Sequence, residues 1–217
     1  MGKNAKGSDF LYLALYAFAG FAFELLLAYV IEPLMGLSLD SMTTVQNIVH
    51  WIVTCCVWAL VGWVLIRVSR KKYGFDIMEV KAKLKLPQYL GCILCIAVIF
   101  YLQYLDWGGF KPAIELARCG TLKFIFQYIY YFFETFLFSL IIIFGQRACE
   151  IWFKRENIPY GGIVLALTWG IGHILSKGSL TVGLLSALGG FLFGAAYLIV
   201  GRDYRKTLPR LYIMFAF

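Results

Sequence analysis

Glu134 and His173 are the residues whose type and setting could do chemistry. Each interrupts a long apolar run, Glu134 in FIFQYIYYFFETFLFSLIIIFG and His173 in GGIVLALTWGIGHIL. An ionisable side chain at bilayer depth costs roughly 3 kcal/mol or more unless it is neutralised, paired or wetted, so it marks a functional site by default. A desolvated glutamate can act as general base on a water. An imidazole can orient that water, hand a proton to a leaving group, or bind a metal. Two ligands alone make a poor metal site, and neither HExxH nor HxxxH is present. No cofactor is therefore expected, and a metal at Glu134 and His173 is not favoured. The bland alternative is a structural Glu–His hydrogen bond fastening two helices.

Helical rise places the two at similar depth. Glu134 is 11 residues in from Lys123, about 16 Å, and His173 is 12 residues in from Gly161, about 18 Å. Both fall near the middle of a hydrocarbon core about 30 Å thick. Glu24 lies 14 residues from Phe10, about 21 Å in, and can share the same pocket. Gln127, Tyr131, Glu134 and Phe138 follow one another at spacings of three and four, which puts them on one helix stripe. Trp169 and His173 are four apart. Glu24, Gln127, Tyr131 and Trp169 are thus the expected pocket residues around the catalytic candidates Glu134 and His173. Ser186, Gly190 and Gly194 form a ladder of small residues that favours close helix packing. His50 reads as a satisfied histidine near the head groups.

The elements that must position these residues are membrane spans. The chain is 61% hydrophobic and 15% charged, against about 25% charged for ordinary soluble domains. Six apolar blocks approach the roughly 20 residues a spanning helix needs: Phe10–Ile31, Gln46–Ile66, Tyr89–Asp106, Lys123–Gly145, Gly161–Ser176 and Leu180–Val200. A last apolar stretch from Leu208 is too short to cross. The expected fold is an all-α polytopic membrane helix bundle of about six spans plus that short C-terminal segment. It forms one integral membrane domain, 1–217, with a three-span half (1–119) and a second half (120–217). The first block is long and has no small-residue cleavage site, so it is expected to stay as a span.

Charge sets the orientation. With the N-terminus cytoplasmic, 16 of the 20 basic residues fall on cytoplasmic segments, leaving Lys111, Arg118, Lys123 and Lys177 outside. That asymmetry follows the positive-inside rule and points to the cell membrane. The net charge of +8 therefore speaks for anionic lipid head groups as partners, not nucleic acid. In RVSRKKYGFDIMEVKAKLKLP, Asp76 and Glu79 resemble a helix N-cap arrangement and predict a short interfacial helix before Pro87. Pro112 is placed to begin a short helix in the opposite loop, with Trp107 as an interfacial anchor. The cysteines do not read as a disulfide framework, and Cys92 and Cys95 are read as small apolar residues.

The second half resembles the CPBP group of intramembrane proteases, the CAAX-protease and bacteriocin-processing (Abi) proteins. Their usual pattern is EExxxR, then FxxxH, then HxxxN on later helices. In LTWGIGHIL, Trp169 stands for the Phe and His173 matches the His. The stretch LLSALGGFLFGAAYLIVGRDYRKTLP is similar to the Gly-rich helix and polar turn that follow, and Glu134 lies at a comparable distance upstream. The resemblance covers residues 120–217 and implies an all-helical fold in which Glu134 activates water. The pattern is incomplete. Thr135 replaces the second glutamate, Ser139 stands in the place of the Arg, and LYIMFAF contains neither His nor Asn. The expectation is a protease-related protein, either an active glutamate-type peptidase with Glu134 as base or a non-hydrolytic relative, that binds or processes a membrane-embedded peptide or protein. The alternatives are an accessory, immunity or chaperone subunit of a membrane complex, and a small-solute or proton-coupled carrier subunit.

Overall fold

The computed structural model describes residues 5–38 and 41–217. Lys3, counted above among the basic anchors, lies outside them. The described residues form seven helices and no strand. They are α1 (Gly7–Leu34), α2 (Thr44–Tyr73), α3 (Leu86–Trp107), α4 (Lys111–Phe153), α5 (160–177), α6 (Leu180–Ile199) and α7 (Tyr204–Ala216). Five of them, α1, α2, α3, α4 and α6, are long and apolar enough to cross a membrane. The chain is thus built as a multi-pass membrane protein.

The fifth expected span, Gly161–Ser176, is helical but does not reach the length and hydropathy of the other five. It comprises Tyr160–Leu165, a π-helical Ala166–Gly170 and Ile171–Lys177. The glycines, Trp169 and His173 that give it chemical interest also lower its hydropathy. The last segment is also longer than its apolar residues suggest. Asp203 caps α7 through the amide of Arg205, and the helix runs 13 residues from Tyr204.

Helix α4 is the centre of the bundle. Of its most apolar stretch 67% is buried, against 17% for α3, whose face of Leu, Ile and Tyr side chains is turned outward. Leu137, Phe138, Leu140, Ile141, Ile142 and Phe144 have no exposed surface. Around α4 pack α1, α2, α5 and α7, while α6 joins α5 to α3.

Contacts between α5 and α6 run backbone to backbone. A Cβ added to Gly162 would meet Gly194, one on Gly190 would meet Ala166, and one on Gly170 would meet Ala187. Gly190 and Gly194 therefore pack as their spacing predicts. Ser186 is half-buried, and beside it Ala187 meets Gly170 and Gly183 meets Ile174.

Two local departures from α-helix matter for the sites. Gly120, at φ +72°, breaks α4 near its start, in a region of backbone space that side chains avoid. A π-helical turn, Leu27–Ile31, lies within α1 between Glu24 and Glu32.

At the end of the bundle that gathers most basic residues, 74–85 is not the expected interfacial helix. Asp76 does not cap a helix: its Oδ1 accepts from the amide of Met78, and its carbonyl accepts from Glu79. The segment is a strap held by the turn before α7. Asp203 Oδ2 accepts from the amide of Ala82 at 3.1 Å, Lys206 Nζ donates to the Ala82 carbonyl at 2.7 Å, and Arg205 donates to the Met78 carbonyl at 2.5 Å. Ile77 and Phe75 plug the helix ends, Phe75 stacking edge-on against Phe10 at 5.3 Å.

Candidate functional site

Trp169 connects the two residues singled out by the sequence. Its indole Nε1 donates to Glu134 Oε1 at 3.0 Å, between α5 and α4. Its carbonyl lies 2.7 Å from His173 Nδ1, and the two rings sit 4.4 Å apart, edge to face. A carbonyl can only accept, so Nδ1 carries the hydrogen. That fixes the tautomer and leaves the Nε2 lone pair free, the state in which histidine acts as base, acceptor or ligand. Glu134 and His173 thus share a site without bonding to each other. The expected direct Glu–His bond is replaced by a tryptophan that orients both.

The floor of this site is aromatic. Phe138 stacks on Phe193 at 5.2 Å and lies 5.3 Å from the Trp169 ring. Phe215, from α7, meets Trp169 at 5.6 Å and Phe138 at 5.5 Å. Glu134 is almost wholly buried, whereas His173 is half-buried. Among the described residues, Trp169 is the hydrogen-bond donor to the Glu134 carboxyl, and no three His, Cys, Asp or Glu side chains converge as a metal ion requires. The arrangement offers two oriented acceptors inside the helix bundle. An apolar groove of about 400 Å³ between α4 and α7, lined by Phe124, Tyr128, Phe132, Tyr212 and Phe217, does not include either of them.

No family model, characterised protein or solved structure matches the chain. What this site can do is therefore argued from its own geometry.

The remaining expected pocket residues go elsewhere. Gln127 and Tyr131 lie on the same stripe of α4 as Glu134, but they serve Glu115. Gln127 Nε2 and the Tyr131 hydroxyl donate to its Oε1 at 2.9 and 2.5 Å, and the Tyr128 hydroxyl donates to its Oε2 at 3.0 Å. Along a straight helix Glu115 and Tyr131 would be about 24 Å apart. The break at Gly120 folds the first turns of α4 back, and this makes the contact possible. The helix begins where Pro112 places it; Ala113, Leu116, Ala117 and Arg118 are exposed, while Lys111, Pro112 and Glu115 are buried in this network. Lys111 joins it from above: Nζ donates to the Phe215 carbonyl at 2.8 Å and lies 4.5 Å from the Tyr131 ring centre. Sequence reasoning missed Glu115 because it was placed in a loop. The available signal was a lone glycine separating it from three hydrogen-bonding side chains on α4.

Glu24 lies close enough to Glu134 for the two charges to interact, but its hydrogen bond goes elsewhere. It accepts from the Tyr130 hydroxyl at 2.8 Å and lies 3.8 Å from His50 Nε2. His50 is satisfied, as expected, and its partner is a carboxylate of α1. It is 5% exposed, with Nδ1 2.8 Å from Glu32 Oε1.

Proposed function

We propose that this chain is a CPBP-like membrane protein of the cell membrane, its N-terminus cytoplasmic, that holds a membrane-embedded peptide or protein segment at Glu134, Trp169 and His173 without cutting it. The observation that carries this reading is the place of Phe215. Where the family pattern would have a late helix contribute His and Asn beside the glutamate, α7 sends an aromatic ring onto Trp169 and Phe138. The location suits the family and the chemistry does not. Amide hydrolysis needs donors aimed at the developing oxyanion, and loss of such donors costs on the order of 10²–10³ in rate.

Binding asks less of the site. A peptide segment with unpaired backbone N–H groups is costly inside a bilayer. The Glu134 carboxyl and His173 Nε2, each oriented by Trp169, are acceptors for such groups. The aromatic floor offers apolar contact to the flanking side chains.

The test is binding of a panel of transmembrane and lipidated peptides to the protein in lipid nanodiscs, with mass spectrometry of the peptides afterwards. Binding without new peptide termini is expected. Glu134→Gln should keep affinity within a few-fold, since the amide oxygen still accepts, while Glu134→Leu and His173→Phe should each lose about tenfold or more, near 1.4 kcal/mol. Cleavage that vanishes in Glu134→Gln would overturn the non-hydrolytic reading. Unchanged binding by Glu134→Leu would overturn the site.

A further inference from the structure

Beyond the Glu134 site lie two buried polar clusters. The one around Glu115 is closed, because donors meet both carboxylate oxygens. The one around His50 is open. Among the described residues, Glu32 Oε2 is buried without a hydrogen-bond partner, and so is the hydroxyl of Thr54, one turn along α2 from His50. The Glu32 side chain is 7% exposed and that of His50 4%.

His50 faces Glu24 and Glu32, both from α1. Next to Glu24 stand Tyr130 and Glu134 from α4 and Cys55 from α2, and Lys123 is held over the Trp51 ring at 5.6 Å. Among the described residues, no Lys or Arg pairs with Glu24 or Glu32. The π turn between them accounts for their alignment. Eight residues of pure α-helix would leave the two glutamates about 80° apart; absorbing one extra residue reduces that to about 20°. Both carboxylates therefore reach the same imidazole, at opposite edges of the ring. They do not converge on one point, as ligands around a metal ion do.

We infer that Glu32, His50 and Glu24 form a proton-binding relay. A neutral imidazole has one N–H. Between two ionised carboxylates it would turn a lone pair towards one of them, so the arrangement calls for at least one extra proton. The transfer balances. Protonated Glu32 gives its proton to Nδ1 of a His50 that carries hydrogen on Nε2, and the imidazolium releases the Nε2 proton to Glu24. Glu32 ends ionised, Glu24 neutral and His50 neutral as the other tautomer. Glu24, 28% exposed and held on one side by Tyr130, is free to move across the 3.8 Å gap and to pass the proton on. It lies about 12 Å deeper along α1 than Glu32. The ligand of this site is the proton, and the site does not depend on peptide binding at Glu134.

The chain has two histidines, so nitrogen NMR of protein labelled with ¹⁵N-histidine in nanodiscs resolves His50 once His173→Gln assigns the other ring. From about pH 5 to 9, His50 should pass between imidazolium and neutral forms. Glu32→Gln should bias the neutral form to Nε2–H, and Glu24→Gln to Nδ1–H. The two variants should also move the transition midpoint by at least about one pH unit each. A His50 that stays one neutral tautomer throughout, visible in the unsubstituted protein alone, would overturn the relay. So would identical titration in both variants. Peptide binding measured on the same samples reports separately on the Glu134 site.

Discussion

Trp169 and Glu134, 35 residues apart on adjacent helices, are joined by a 3.0 Å hydrogen bond in which the indole is the donor. Because the same residue's carbonyl holds His173, one side chain and its backbone set the aim of both ionisable groups. Trp169→Phe separates these roles. It removes the donor but keeps an aromatic ring, and it leaves the bond to His173 intact. A buried carboxyl that loses its partner costs about 1–3 kcal/mol. Thermal unfolding in detergent should register that loss, and peptide affinity should fall about tenfold. No change in either would mean that the indole does not orient Glu134.

Glu115 gathers three donors. Glu115→Ala leaves Gln127, Tyr128 and Tyr131 with buried, unanswered polar groups, and about 3 kcal/mol of stability should be lost. Tyr128→Phe removes one donor and should cost about 1 kcal/mol. Gly120→Ala should mimic the larger effect, because a Cβ at φ +72° strains the fold-back by roughly 1–3 kcal/mol. Denaturation midpoints of the three variants, compared at equal protein concentration, check the ranking. A Glu115→Ala variant as stable as Tyr128→Phe would contradict it.

Asp203 should make stability depend on pH at the acid side. Its burial would by itself raise its pKa, but Lys206 and the amides of Ala82 and Arg205 outweigh this and hold the carboxyl below its ordinary value. A depressed folded pKa gives stability that is complete above the unfolded value, about 3.9, and is lost as pH falls through the folded one. The strap 74–85 should therefore loosen in acid, freeing the Ala82 amide from Asp203. Hydrogen exchange at the Ala82 amide should rise below about pH 4 in the unsubstituted protein. In Asp203→Asn it should already be fast at neutral pH.

Gly194→Leu should separate α5 from α6. The Cα of Gly162 occupies the space where a side chain would go, and overpacking of a close helix contact costs about 1–3 kcal/mol. Gly36→Ala is the control for a glycine with open space around it, where only the backbone preference is disturbed. A cysteine pair at Gly170 and Ala187, whose β positions adjoin across α5 and α6, crosslinked in membranes, should react less efficiently once Gly194→Leu is added. Equal crosslinking would show that the ladder does not hold the pair.

Much of the bundle was legible because bilayer thickness imposes a length and the apolar runs meet it. The stretches Gln46–Ile66 and Tyr89–Asp106 fall inside α2 and α3, since helices there simply extend an apolar run by their polar ends. Glu134, His173 and Trp169 were legible as a site because their spacing survives on single helices. Gln127 and Tyr131 were assigned to the wrong carboxylate for a physical reason: periodicity identifies a stripe but not what faces each part of it. Glu115 and His50 needed tertiary information. The first depends on one glycine's φ, and the second on a π turn whose sequence, LAYVI, is as apolar as the α-helix around it. The strap was misread because Asp76 can close a turn as well as cap a helix.

The short turn between α5 and α6 has a consequence for how the protein enters the bilayer. Helix α5 is less apolar than the five spanning helices and carries His173, so on its own it is a weak candidate for insertion. Only Gly178 and Ser179 separate it from α6, and the two helices meet through bare glycine backbone. They can therefore partition as a hairpin, the apolar helix carrying the polar one. The close packing that later shapes the site would serve first as a means of delivery, and weakening it should cost topology before it costs chemistry.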